Sequence, residues 1–385
     1  MKKLFSTIIC CLICSTAFMQ VKPEWQDETI PFVGKEYPRT AFMTYSDVDK
    51  ARSNDFNSSS DYKSLNGKWK FNWVPSYKKR PVNFYKTDFD DSTWGEIDVP
   101  ANWEINGYGD ALYTNHPYEF CPRNPQPPLL PEENPVGSYR KYIKIPQQWN
   151  GKEIFLHIGA VKSGCYLYIN GVKVGYSEDS KTAVEYNISH YLKTGRNLIA
   201  LEIYRWSTGS YLECQDFWRI SGIERDVYLF AQSPVYLRDF AIRQDLDSTY
   251  KNGIFGLDLC LTNANPRQPG QVTVSYQLEN PSGTRVAEGN RTIKIDSTGT
   301  VHFDAKIPQV AAWTAETPNL YQLFIRIEQP GKTAEIIPFR VGFRKLEIRG
   351  NQFLVNGRAV LIKGVNYHEH NEHTGHVLSE ADMRK

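Results

Sequence analysis

Apolar and polar residues alternate along most of this chain in short runs, the period of strands that bury one face. Glu153-Ile-Phe-Leu-His-Ile158 puts Ile154, Leu156 and Ile158 on one side. Cys165-Tyr-Leu-Tyr-Ile169 repeats the pattern and runs into Asn170-Gly171. Those two residue types accept the left-handed backbone of a two-residue hairpin turn. Val172, Val174 and Tyr176 continue on a return strand, and Asn197 to Tyr204 and Arg225 to Phe230 predict two more. Short strands at this spacing predict a mostly β protein that opens with a two-sheet sandwich of jelly-roll type over residues 25–232.

One stretch breaks the rhythm. Asn102 to Asn134 carries Pro117, Pro122, Pro125, Pro127, Pro128 and Pro131, and proline cannot serve a central strand. An irregular segment of that length inside a compact domain points to a functional loop crossing the sandwich surface. A boundary falls at Gln232-Ser-Pro234. Residues 233–344 then read as a second all-β unit, with strands such as Gln271 to Tyr276 and Tyr321 to Ile327, of a size that suits an immunoglobulin-like sandwich. It lacks the cysteine pair of antibody domains.

A third unit opens at 345. Asn356-Gly357 predicts a hairpin turn, and Val360-Leu-Ile-Lys-Gly-Val365 is an apolar run of the kind expected for a strand buried on both faces. A polar, histidine-rich segment follows, from Asn366 to His376. Ser379 with Asp382 predicts a capped helix start. The unit over 345–385 therefore reads as strand, loop and helix start. A (β/α) barrel needs roughly 250 residues, so the expectation is a TIM barrel truncated early.

Composition adds bounds. The net charge is +2, which gives no pull toward nucleic acid or a membrane surface. Lys2 and Lys3 precede an apolar run from Leu4 to Phe18, with small residues Ser15 and Ala17 at its end. That is the layout of a secretory signal over residues 1–19, too short for a comfortable membrane span. It implies export to the periplasm or the cell exterior. Ile13 before Cys14 is too bulky for a lipoprotein signal. Cys121, Cys165, Cys214 and Cys260 lie beyond the signal without C-x-x-C spacing, so neither zinc nor a disulfide is expected, and Cys165 reads as a buried thiol.

Two segments could carry chemistry. His368-Glu-His-Asn-Glu-His373, followed by His376, suggests a metal, but no H-E-x-x-H runs through it and no helix carries it. Its place just past a barrel strand favours substrate binding by His368 instead. Arg205 to Arg219 is rich in polar and planar groups. Glu213 and Asp216 can accept sugar hydroxyls or bind a hard cation. From spacing alone, a surface loop with packed Trp206 and Trp218 is the plainer reading. Glycoside hydrolysis needs two positioned carboxyl groups, and composition cannot choose them among 43 acidic residues.

Ordered segments from Pro31 onward resemble glycoside hydrolase family 2, in particular its large β-galactosidases. They are Leu65 to Phe71, Asp98 to Glu104, Tyr113-Thr-Asn115, Glu133 to Gly137, Gly175 to Ser180, Arg205-Trp206, Tyr211 to Gly222, Trp313 to Tyr321 and Lys363 to His370. The resemblance implies a jelly-roll sugar-binding domain, an immunoglobulin-like domain and a TIM barrel. It implies retaining hydrolysis of terminal β-D-galactosyl residues in carbohydrate catabolism, with Asn115, Asp216 and His368 contacting the galactosyl group. Asp216 would also hold a sodium ion. The family's catalytic carboxylates and magnesium ligands lie on later barrel strands, beyond Lys385, so the chain alone is expected to be inactive. The implied partner is a galactoside or a galactose-containing oligosaccharide, and the full-length parent could be a homo-oligomer. Alternatives are a non-catalytic carbohydrate-binding or assembly module, or a family 2 relative for another sugar, such as a glucuronidase or mannosidase. Two positions depart from the family pattern: Cys214 replaces an acidic residue, and Tyr367 stands where arginine is more usual.

Overall fold

The computed structural model describes residues 22–213 and 215–385. Alternation becomes two stacked layers in the first unit. A seven-stranded sheet runs in the order Phe32–Val33, Val172–Ser177, Gly164–Ile169, Arg196–Tyr204, Val136–Lys144, Gly67–Val74 and Gly95–Val99. A four-stranded sheet runs Val184–Asn187, Glu153–Ile158, Val227–Gln232 and Tyr62–Ser64. Every pairing is antiparallel in both. Leu156 and Ile158 from one sheet meet Leu167, Ile169, Leu201 and Ile203 from the other in one fully buried core. Each such side chain contributes about 1.5–3 kcal/mol on burial, so the core holds the layers against one another firmly enough to carry long loops.

The hairpin signals are realised. Asn170 and Gly171 have φ of 52° and 91°, both in the left-handed region, between strands Gly164–Ile169 and Val172–Ser177. Asn356 and Gly357 turn likewise at 52° and 74°. The first sandwich ends with Val227–Gln232 and the second begins with Val235–Leu246, so Ser233-Pro234 is the joint. The second unit packs a three-stranded sheet against a four-stranded one. Leu257, Leu259, Val274, Leu323 and Ile325 fill the space between them. A separate apolar cluster spans the joint, where Phe155, Tyr228 and Phe230 of the first sandwich meet Tyr236, Phe324 and Ile336 of the second.

The last unit corrects one expectation. Val360 to Val365 forms no strand. Leu361, Ile362 and Val365 are 80%, 78% and 91% exposed. A strand buried on both faces needs a ladder partner on each side and a layer above and below, and the described residues supply neither. The regular structure here is a small antiparallel sheet, Leu346–Arg349, Gln352–Val355 and Arg358–Ala359. The helix Glu380–Arg384 starts where its cap predicts. Ser379 Oγ accepts from Asp382 N, and the Asp382 carboxylate accepts from Ser379 N.

Candidate functional site

The long proline-rich segment and the loop after Arg196–Tyr204 meet in a two-stranded ribbon, Leu112–Thr114 against Phe217–Arg219. Thr114 pairs with Phe217, and the antiparallel register then brings Asn115 and Asp216 to the same open end of the ribbon. Both are exposed. Tyr113 donates its hydroxyl to Asp216 Oδ1 at 2.7 Å. Tyr113 also meets Trp218 edge to face, with ring centroids 5.6 Å apart, so the tip offers a carboxylate beside flat aromatic surface.

The base of the ribbon is clamped from below. Arg205 Nη2 donates to Asp110 O at 3.2 Å and to Arg219 O at 3.0 Å, one carbonyl beside each ribbon strand. Its Nη1 lies 3.2 Å from Glu104 Oε1, and the two side chains are 7% and 0% exposed. Glu104 Oε2 accepts from Ser221 N at 2.7 Å. Burial outweighs the Arg205 charge and that hydrogen bond, and holds the Glu104 carboxyl above its ordinary value. The proline-rich segment also packs inward. Glu119 accepts from Trp206 Nε1 at 2.9 Å, and Phe120 lies against Trp206 and Tyr211. Glu213 is occupied structurally, accepting from Ser180 N at 2.8 Å and Ser180 Oγ at 2.5 Å.

The histidine-rich segment splits in two. His368, His370 and His373 are exposed, whereas His376 is 8% exposed. His376 Nδ1 is 2.8 Å from Glu224 Oε1, and its backbone N–H donates to Asn102 Oδ1 at 2.9 Å. Lys181 closes on the other Glu224 oxygen. Burial alone would raise the Glu224 carboxyl, but His376 and Lys181 overcome it and bring it down to about 2. Burial lowers His376, offsetting the pull of Glu224, so its imidazole is neutral near pH 7. The Phe217 ring lies nearly parallel to both His376, at 4.1 Å, and His368, at 4.9 Å. Trp218 and His370 stack more loosely at 5.9 Å.

Asn115 and Asp216 thus sit at one end of the ribbon, and His368 stacks on Phe217, the first residue of the Phe217–Arg219 strand. Sequence reasoning missed the Arg205–Glu104 clamp and the Glu224–His376 contact. The latter joins residues 152 positions apart, which no local spacing signals. Among the described residues, no group of three or more His, Cys, Asp or Glu is placed to hold a metal ion, and no helix is long and apolar enough to cross a membrane. Cys121, Cys165 and Cys260 are free thiols, with Cys165 buried. The signal segment and Cys214 lie outside the described residues.

Models of one family match three consecutive stretches. These are the glycosyl hydrolases family 2 sugar binding domain over residues 62–233, the central family 2 domain over 235–344 and the family 2 TIM barrel domain over 346–385. A beta-galactosidase of Priestia megaterium is 35% identical over 94% of this chain and 36% of its own length. One from Halalkalibacterium halodurans is 39% identical over 83% of this chain and 31% of its own. The chain therefore spans about a third of the length of these relatives. In structure, Bacteroides uniformis beta-glucuronidase 2 superposes with a TM-score of 0.71 over 84% of this chain and 37% of its own, at 22% identity, a likeness of fold. Matched in all three of its units by models of one family, and over most of its length by β-galactosidases, the chain belongs to glycosyl hydrolase family 2.

Proposed function

We propose that this chain forms the galactosyl-contacting face of a β-galactosidase that hydrolyses terminal β-D-galactosyl residues with retention. The observation that carries the reading is the convergence of Asn115, Asp216 and His368 around one aromatic strand. Exposed carboxylate, amide and imidazole groups beside flat rings are what a sugar needs, hydrogen-bond partners for its hydroxyls and a surface for its C–H face. The likeness to β-galactosidases supports galactose as the sugar. Retaining chemistry requires two carboxyl groups about 5–5.5 Å apart. In this reading that pair comes from later barrel strands, and these 385 residues contribute binding and orientation.

Asp216 fits one ligand position for sodium, since Tyr113 occupies Oδ1 and leaves Oδ2 for a cation. A bound sodium would supply a fixed positive charge beside a sugar hydroxyl. No residue of this chain is proposed for magnesium. The basic start and apolar run of residues 2–18 support export. Two assays test the reading. The purified chain should release no nitrophenol from a nitrophenyl β-galactoside above background, and turnover would contradict the division of labour. Methyl β-D-galactoside at millimolar concentration should shift the NMR signals of Asn115, the Asp216 neighbourhood and His368. Shifts elsewhere, or none, would remove the proposed site.

A further inference from the structure

We propose that His376 is a positioning residue: seated on the sugar-binding domain by Glu224 and Asn102, it holds the loop that carries His368 against Phe217. The contact with sugar at His368 rests on the function proposed above. The seat itself does not.

The loop arrives with little else to hold it. Every residue from Ala359 to His370 is exposed, and burial begins at Gly375 and His376. At that point three features coincide. The His376 N–H reaches Asn102 Oδ1, and Asn102 Nδ2 is itself fixed by Ser221 O at 3.1 Å and Glu224 Oε1 at 3.3 Å. Glu224 Oε1 faces His376 Nδ1 at 2.8 Å. A carboxylate can only accept, so the neutral ring must carry its proton on Nδ1. The carboxylate thereby selects one tautomer and one ring orientation. Gly375 has φ +67°, and a Cβ there would stand 2.7 Å from both Asn102 Oδ1 and Ile220 Cδ1, so a side chain would lift the loop from its seat.

The seat reaches His368 through one ring. Phe217 lies 7° from parallel with His376 and 24° from parallel with His368, and it immediately follows Asp216. The strand that follows Asp216 and the loop holding His368 are thus registered by Phe217, with the looser Trp218–His370 stack beside it. The hydrogen-bond and ring partners of His376 are Asn102, Glu224 and Phe217 rather than Asn115 or Asp216, so its effect on sugar would pass through His368.

The test is NMR on the 385-residue chain, as wild type and as His376→Ala, His376→Asn and Glu224→Gln. In wild type, long-range ¹⁵N spectra should show His376 protonated on Nδ1. His376→Ala should return the His368 ring signals, shifted by the Phe217 ring current, toward free-histidine positions. It should also raise amide exchange at residue 376 at least ten-fold. Asparagine, which keeps a donor near the Nδ1 position, should restore most of that protection. Glu224→Gln should keep the acceptor but shift the tautomer population. Amides of Gly270–Glu279 in the second sandwich are the folding control and should not change. Unchanged His368 signals and exchange in His376→Ala would overturn the proposal, as would equal behaviour of the alanine and asparagine variants. Methyl β-D-galactoside then separates the two readings. If His376→Ala frees His368 yet neither protein responds to the sugar, the seat stands and the function falls. If the sugar shifts His368 equally in both, the positioning role falls.

Discussion

Replacing Arg205 by methionine tests whether the ribbon is held from beneath. The substitution keeps the apolar stem and removes the charge, leaving the Glu104 carboxylate, 0% exposed, without its counter-ion. Breaking a buried pair in this way costs about 3–5 kcal/mol, because the remaining charge stays buried and uncompensated. The carbonyls of Asp110 and Arg219 also lose their donor. At 1.36 kcal/mol per factor of ten, the open population of the ribbon should rise roughly a hundred- to a few thousand-fold. Hydrogen exchange at Leu112–Thr114 and Phe217–Arg219 reads that directly. A second change fixes the cause. Glu104→Gln in the Arg205→Met background removes the stranded charge while keeping an acceptor for Ser221 N, and should recover about half of the loss. Acid should help too. The Glu104 carboxyl is held above the ordinary 4.5, so the folded state binds its proton more readily than the unfolded chain. The deficit of Arg205→Met should therefore shrink as the pH falls toward 4.5 and grow as it rises. A loss under about 1 kcal/mol, the range of exposed ion pairs, or a double variant no better than the single one, would refute the buried-clamp reasoning.

Three further outcomes are expected. Gly375→Ala forces a left-handed residue to carry a Cβ, at about 1–2 kcal/mol before any clash, and should raise exchange at residues 371–377 without lowering the melting temperature of the second sandwich. Docking of the same loop should weaken in acid. His376 is held below its ordinary 6.5 by burial, with Glu224, Lys181 and Lys162 around it. The folded state therefore binds fewer protons, and stabilisation present above pH 6.5 is lost as the pH falls through the lowered value. Exchange at residue 376, corrected for intrinsic rate, should therefore rise between pH 7.5 and pH 5, and the rise should be absent in His376→Asn. Tyr113→Phe should leave stability unchanged but free the Asp216 side chain, seen as weaker galactoside-induced shifts around residue 216 with those at His368 retained.

The sandwiches were legible because each strand carries its own signal. Ile154, Leu156 and Ile158 announce a buried face, and Asn170-Gly171 announces the turn that fixes the register of its hairpin. Of the proposed site, His368 and Asp216 could be singled out by residue type and position, whereas Asn115 came only through the resemblance, since exposed residues leave no periodic trace. Val360 to Val365 shows the limit of pattern reading. An apolar run states a demand for burial, and whether the demand is met depends on neighbouring strands. The His-rich segment shows a different limit, because four similar residues have unlike environments. His376 is buried by partners at 102, 217 and 224, and its neighbours are left in solvent.

The central claim is that one aromatic strand gathers a galactosyl-contacting face. It is tested most directly by titrating the chain with methyl β-D-galactoside, methyl β-D-glucoside and methyl β-D-glucuronide while following Asn115, Asp216 and His368. With only part of a full set of contacts, the galactoside should bind with a Kd on the order of 1–10 mM, about −4 to −3 kcal/mol. Its shifts should be confined to those residues and their ring neighbours, and the other two sugars should produce markedly smaller ones. Equal or larger responses to the glucoside or glucuronide, or galactoside shifts centred away from the Phe217–Arg219 strand, would contradict the account.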